Sequence, residues 1–119
     1  MPNIEEVKPI DFNGVEALRK HMLLNTSQMS TFLGVSRVTY GGWVKGKPIR
    51  RGNNAKVREA LKKLFTVVKV HKWPEPEVIA MVPEHRFNTL LELTKEEKIR
   101  DNYGYARFFK ACSTIRGFL

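Results

Sequence analysis

Cysteine is nearly absent from the 119 residues: Cys112 stands alone, which excludes an internal disulfide and fits a reducing, cytoplasmic setting. The three histidines, His21, His71 and His85, are scattered. No Cys or His stands at metal-ligand spacing, so neither a metal nor another cofactor is expected. No Ser, Cys or carboxylate forms a nucleophile pattern with the histidines, and no glycine-rich loop ends in Lys-Ser/Thr, which leaves an enzyme without a candidate centre. Apolar runs are too short to span a bilayer, so no membrane is expected as a partner. The start, MPNIEEVKPIDF, carries acids and lacks the basic opening and apolar stretch of a signal peptide.

Acids are also scarce in one half. Between Arg37 and Lys72 the only acid is Glu59, against Arg37, Lys45, Lys47, Arg50, Arg51, Lys56, Arg58, Lys62, Lys63, Lys69 and Lys72. From Glu75 to Asp101 the balance reverses, although the whole chain carries a net charge of +9. A charge run by itself is usually a solvated face; joined to a motif that docks on a duplex, it is the footprint of a polyanion binder. The hydrophobic fraction of 42% and charged fraction of 28% belong to an ordinary globular chain, of a length that suits one domain.

The stretch from Asn25 to Gly46, NTSQMSTFLGVSRVTYGGWVKG, organises the rest. Asn25 has the side-chain oxygen of a helix N-cap. Met29, Phe32 and Leu33 follow at i, i+3 and i+4, one apolar face, with small Ser30 on the inner side. Gly34 is suited to the left-handed residue that ends a helix. Val35 tucks inward, and Ser36 caps a second helix with Tyr40, Trp43 and Val44 as its apolar positions. Two helices joined by a short turn containing glycine form a helix-turn-helix pattern.

The run resembles the helix-turn-helix of the phage-repressor/Cro (Xre-type, lambda-repressor-like) DNA-binding family. Met29-Ser30 stand for the family's Leu-Ala, Leu33-Gly34-Val35-Ser36 match, Tyr40 replaces Ile, and Trp43 and Gly46 match. The resemblance implies an all-α, lambda-repressor-like bundle with additional C-terminal helices. It places Thr26 and Ser36 on phosphates and turns Arg37 and Val38 toward base edges. Arg37 suits guanine and Val38 a thymine methyl; Thr39 serves a base or the backbone. Tyr40 and Trp43 are core in this family rather than base-stacking aromatics. The basic loop after Gly46 passes the sugar-phosphate backbone, with Lys45, Lys47, Arg50 and Arg51 expected beside it. Val44 departs from the family's usual Glu, which leaves Arg19 without its customary partner. Gly41 and Gly42 depart too, since a glycine inside a helix costs about 1 kcal/mol relative to Ala. Either the helix frays there or a bare backbone approaches something closely.

Along the chain, residues 1–12 read as an arm, 13–72 as the DNA-binding core and 73–119 as a helical extension of the same domain. Asn13 and Glu16 have capping-box spacing for a first helix over Gly14–Met22, with Val15, Leu18 and Met22 inward. His21 reads as a surface or partly packed residue. A further helix from Asn53 or Asn54 to Val70 carries Val57, Leu61, Leu64 and Val68 on one face. Trp73-Pro74-Glu75-Pro76 suggests a hinge or change of layer. Pro83 opens an amphipathic helix with Phe87, Leu90, Leu91 and Leu93; Thr94-Lys95-Glu96-Glu97 resembles a second capping box. Tyr105, Phe108, Phe109, Cys112, Ile115 and Leu119 form a stripe on a last helix, a candidate homodimer interface or internal packing.

The function this implies is a sequence-specific double-stranded DNA-binding transcriptional regulator. The alternatives share the fold: an interaction protein acting on polymerase or a toxin, with DNA secondary, and a DNA-packaging or recombination adaptor.

Overall fold

Asp11 is the N-cap of the first helix. Its side chain accepts from the backbone N–H of Asn13 at 3.0 Å and of Gly14 at 3.4 Å, so the first helix, α1, runs Phe12–His21. The expected Asn13–Glu16 capping box does not form: Asn13 is already inside the helix, and Glu16 is engaged elsewhere. The computed structural model describes residues 10–101. Within that range the chain is all-helical, without a strand.

Met22 caps α1, and Leu23 turns the corner at a left-handed φ of 64°. Helix α2 spans Thr26–Leu33. Asn25 caps it as expected, and Gln28 completes a capping box, each side chain bonding the other's backbone N–H at 2.7 and 3.1 Å. Gly34 ends α2 with φ 77°, the conformation an L side chain resists. Ser36 caps α3, Arg37–Val44, and α2 packs directly on α3.

Helix α4, Arg51–His71, begins two residues before Asn53, since Arg50 already has the extended conformation of an N-cap. Its 21 residues extend about 30 Å and supply Val57, Ala60, Leu61, Leu64, Phe65, Val67 and Val68 to the core. Asn54 is buried on the same helix, with its amide oxygen taken by Arg58 at 2.9 Å.

The segment read as a hinge or change of layer packs against the core. Trp73, only 2% exposed, donates its indole N–H to the Met22 carbonyl at 3.1 Å, and its own carbonyl accepts from His21 at 3.2 Å. Two short helices and a longer one follow: α5 over Pro76–Ile79, α6 over Pro83–Leu93 and α7 over Glu97–Asp101. Arg86 fastens the α5–α6 corner by donating to the carbonyls of Val78, Ile79 and Met81. Thr94 is the C-cap of α6, its hydroxyl bonded to the Leu91 carbonyl at 2.7 Å, so the second expected capping box is absent. Val78, Leu90 and Ile99 join one apolar cluster with the first four helices, and α7 lies on α4, where His71 meets Glu96 at 2.9 Å. The stop at Asn102 and the aromatic stripe from Tyr105 to Leu119 lie outside the described residues.

The expected arm also contributes to the core. Ile10 is buried, and Phe12 packs against Trp43 with ring centroids 5.6 Å apart and edge-on to Tyr40 at 6.3 Å. Since Asp11, not Asn13, caps α1, Asp11→Ala is expected to lower unfolding stability by about 1 kcal/mol. Asn13→Ala should leave it nearly unchanged. Thermal melts of the two variants check the assignment.

Candidate nucleic-acid interface

Solvent exposure runs in an unbroken series along the start of α3. Ser36, Arg37, Val38 and Thr39 are all exposed, and Tyr40 then turns fully inward. Val38 is 85% exposed, the most open of the large apolar residues described as exposed. A short apolar side chain so placed gains nothing from the protein's own core.

The positions expected around α3 fall into three groups. Thr26 opens α2 and is exposed, as are Ser36 and Thr39. The Ser36 hydroxyl accepts from the Thr39 N–H at 3.0 Å and donates to the Thr39 hydroxyl at 2.9 Å, so its capping role already occupies it. Arg37 bends back toward α2, where its Nη1 lies 3.4 Å from the Ser27 hydroxyl. Ser27 is a partner that the sequence pattern did not reveal.

Lys45, Lys47, Arg50 and Arg51 form the second group, exposed along the end of α3, the following loop and the start of α4. Lys47 is held by its backbone N–H, which donates to the Gly42 carbonyl at 2.9 Å. Exposed Lys56 extends the cationic set; its Nζ donates to the Gly34 carbonyl at 3.3 Å, across the α2–α3 turn. Its place in the basic run was visible in the sequence, but its contact with Gly34 was not.

Gly41 and Gly42 are the third group. Both are helical residues of α3, so the helix does not stop short of them. Gly41 lies in a concavity of about 190 Å³ bordered by Thr26, Arg37, Tyr40 and Lys45. A larger groove of about 550 Å³ lies on the other side of α3, between Phe12, Trp43, Ile49, Lys47 and Arg51.

Beneath this surface sits a linked set of polar groups. Arg19 donates to both oxygens of Glu16, at 3.0 and 2.9 Å, and to the Leu24 carbonyl at 2.7 Å. The Tyr40 hydroxyl donates to Glu16 at 2.5 Å. Arg19 therefore has a partner although Val44 stands where the resembled motif has Glu: Glu16, one helical turn earlier on its own helix, provides it. The spacing i, i+3 was available in the sequence, but the inward direction of both side chains was not. Hydrogen bonding from Arg19 holds the Glu16 carboxyl below its ordinary value, against the opposing effect of burial. Burial, then the Glu16 carboxylate, push the Tyr40 phenol well above its usual range.

The histidines take structural positions or face solvent: His21 bonds Trp73, His71 bonds Glu96, and His85 is exposed. Among the described residues no cluster of His, Cys, Asp and Glu is arranged to hold a metal, and no helix is long and apolar enough to cross a membrane. Cys112 lies outside them. No family model, curated protein or solved structure matches the chain.

Glu16 has a testable pH signature. Because its folded pKa lies below the ordinary value of 4.5, its ionised form contributes stability above that pH, lost as pH falls through the folded pKa. Glu16→Gln is expected to lower stability at neutral pH by about 1–3 kcal/mol. The gap to the unaltered protein should narrow below pH 4.5; denaturant melts across that range provide the measurement.

Proposed function

We propose that this protein is a sequence-specific double-stranded DNA-binding transcriptional regulator of the phage-repressor/Cro type, with α2 and α3 as its helix-turn-helix. The observation that carries this reading is the exposed face at Ser36–Thr39, flanked by Thr26 and by the cations Lys45, Lys47, Arg50, Arg51 and Lys56. A helix whose outer side carries short side chains enters a major groove without obstruction, while cations beside it neutralise phosphates. Val38 and Thr39 offer apolar and hydroxyl contacts to base edges. Phosphates set the register but carry no base identity.

The same proposal assigns no catalytic step to the chain. It includes a second copy on the duplex, joined through the aromatic stripe from Tyr105 to Leu119, since two recognition helices one DNA turn apart multiply modest readout. Sedimentation as a monomer, with and without duplex, would refute that companion claim.

One observation favours a second reading, in which a protein is the main partner. Ile79 and Val82 are 55% and 66% exposed, with acidic Glu75, Glu77 and Glu84 nearby in sequence and exposed. Tight, DNA-independent binding to a purified protein would favour it.

Selection from a random duplex pool, with footprinting of the enriched sites, tests the principal reading. Binding should weaken steeply between about 50 and 200 mM salt, because each neutralised phosphate releases counterions. Lys47→Ala should weaken all duplexes about equally, whereas Val38→Ala should relax preference mainly at one base pair, by about 1 kcal/mol, the scale of a lost apolar contact. Salt-independent affinity, or no enriched sequence, would refute the proposed function.

A further inference from the structure

The two adjacent glycines of α3 have different surroundings. A methyl group at Gly42 would lie 3.1 Å from Cδ of Lys47 and 3.7 Å from its Cγ. A methyl group at Gly42 would therefore require the exposed Lys47 side chain to shift by a few tenths of an ångström. A methyl group at Gly41 would meet nothing within 4 Å among the described residues. Glycine disfavours a helix relative to alanine, and no intramolecular contact offsets that at Gly41.

The space over Gly41 has a particular chemistry. The cationic residues Arg37 and Lys45 border the concavity, together with Thr26 at the start of α2. Among the described residues Glu16 is the only acid on its wall, and Arg19 bonds both of its oxygens. With that carboxylate neutralised by Arg19, the charges of Arg37 and Lys45 remain for an anion.

We propose that this concavity seats one backbone phosphate of the bound duplex, directly over the bare Cα of Gly41. Arg37, Lys45 and the Thr26 hydroxyl hold its oxygens, and any side chain at residue 41 occupies the space the phosphate needs. This rests on the duplex-binding reading above and moves Arg37 from the base edges to the backbone. In the free protein Arg37 donates to the Ser27 hydroxyl at 3.4 Å, a contact it exchanges for the phosphate on binding. Base reading then falls to Val38 and Thr39.

The experiment uses the full chain and a fluorescently labelled random-sequence duplex, titrated at salt concentrations between about 50 and 200 mM. Gly41→Ala is expected to melt a few degrees above the unaltered protein yet to bind roughly tenfold more weakly, with a log–log salt slope shallower by about 0.9, one phosphate. Lys45→Ala should lose the same slope, and the double variant no more than either single one, because all act on one phosphate. Raised melting temperature with unchanged affinity and slope would overturn the seat while leaving the DNA reading intact. Additive slope losses in the double variant would also overturn it, as two separate contacts. Failure of the unaltered protein to bind duplex at any salt would instead remove the DNA reading itself.

Discussion

A buried phenol needs an acceptor, and the way Tyr40 finds one orients the candidate interface. Its ring is 1% exposed, and leaving its hydroxyl unpaired there would cost about 1–3 kcal/mol. Glu16 of α1 accepts that hydrogen bond, but a half-buried carboxylate itself needs compensation. Arg19 supplies it and extends the set to the Leu24 carbonyl, one residue before the cap of α2. One connected set of hydrogen bonds therefore joins α1, the α1–α2 corner and α3. With Tyr40 held inward and Phe12 against its edge, α3 cannot rotate about its axis without breaking that set. Arg37, Val38 and Thr39 are left facing solvent.

The layer behind this arrangement explains where the charges lie. Helix α4 devotes one side to the core, while Lys56 stays exposed and Lys62 and Lys63 half-exposed. Lys69 places its ammonium over the Phe65 ring, 5.9 Å from the centroid, a cation–π contact at the edge of the core. The acid-rich segment after Trp73 folds onto the core through Val78, Leu90 and Ile99. Gln28 of α2 also touches it, through the Pro83 carbonyl at 3.3 Å. The extension thus completes the structure that presents the basic helices.

On the proposed duplex-binding reading, a helix with two glycines and no long side chain beyond Arg37 on its exposed start would be a poor direct reader of bases. Its affinity would rest on the surrounding cations, and its selectivity on a few contacts and on the shape of the duplex. Gly42 weakens helix propensity and lies against the Lys47 side chain, whose Cδ a methyl group there would meet at 3.1 Å.

Local signals were legible in the sequence. Asn25 and Ser36 cap their helices, Gly34 takes the left-handed turn, and Met29, Leu33, Tyr40 and Trp43 point inward, because each signal depends on residues within one or two turns. The basic character of the half from Arg37 to Lys72 was equally plain. Asn13 and Thr94 had the right neighbours for capping, but Asp11 and a continuing α6 determined where the helices began and ended. What only the tertiary structure decided are the partners brought from afar: Tyr40 with Glu16, Trp73 with Met22, and Lys56 with Gly34. Spacing along one helix brings side chains within reach of each other, but a bond between helices depends on how their apolar faces interlock. That packing turns Glu16 and Arg19 inward to Tyr40 and brings the segment at Trp73 back to the core.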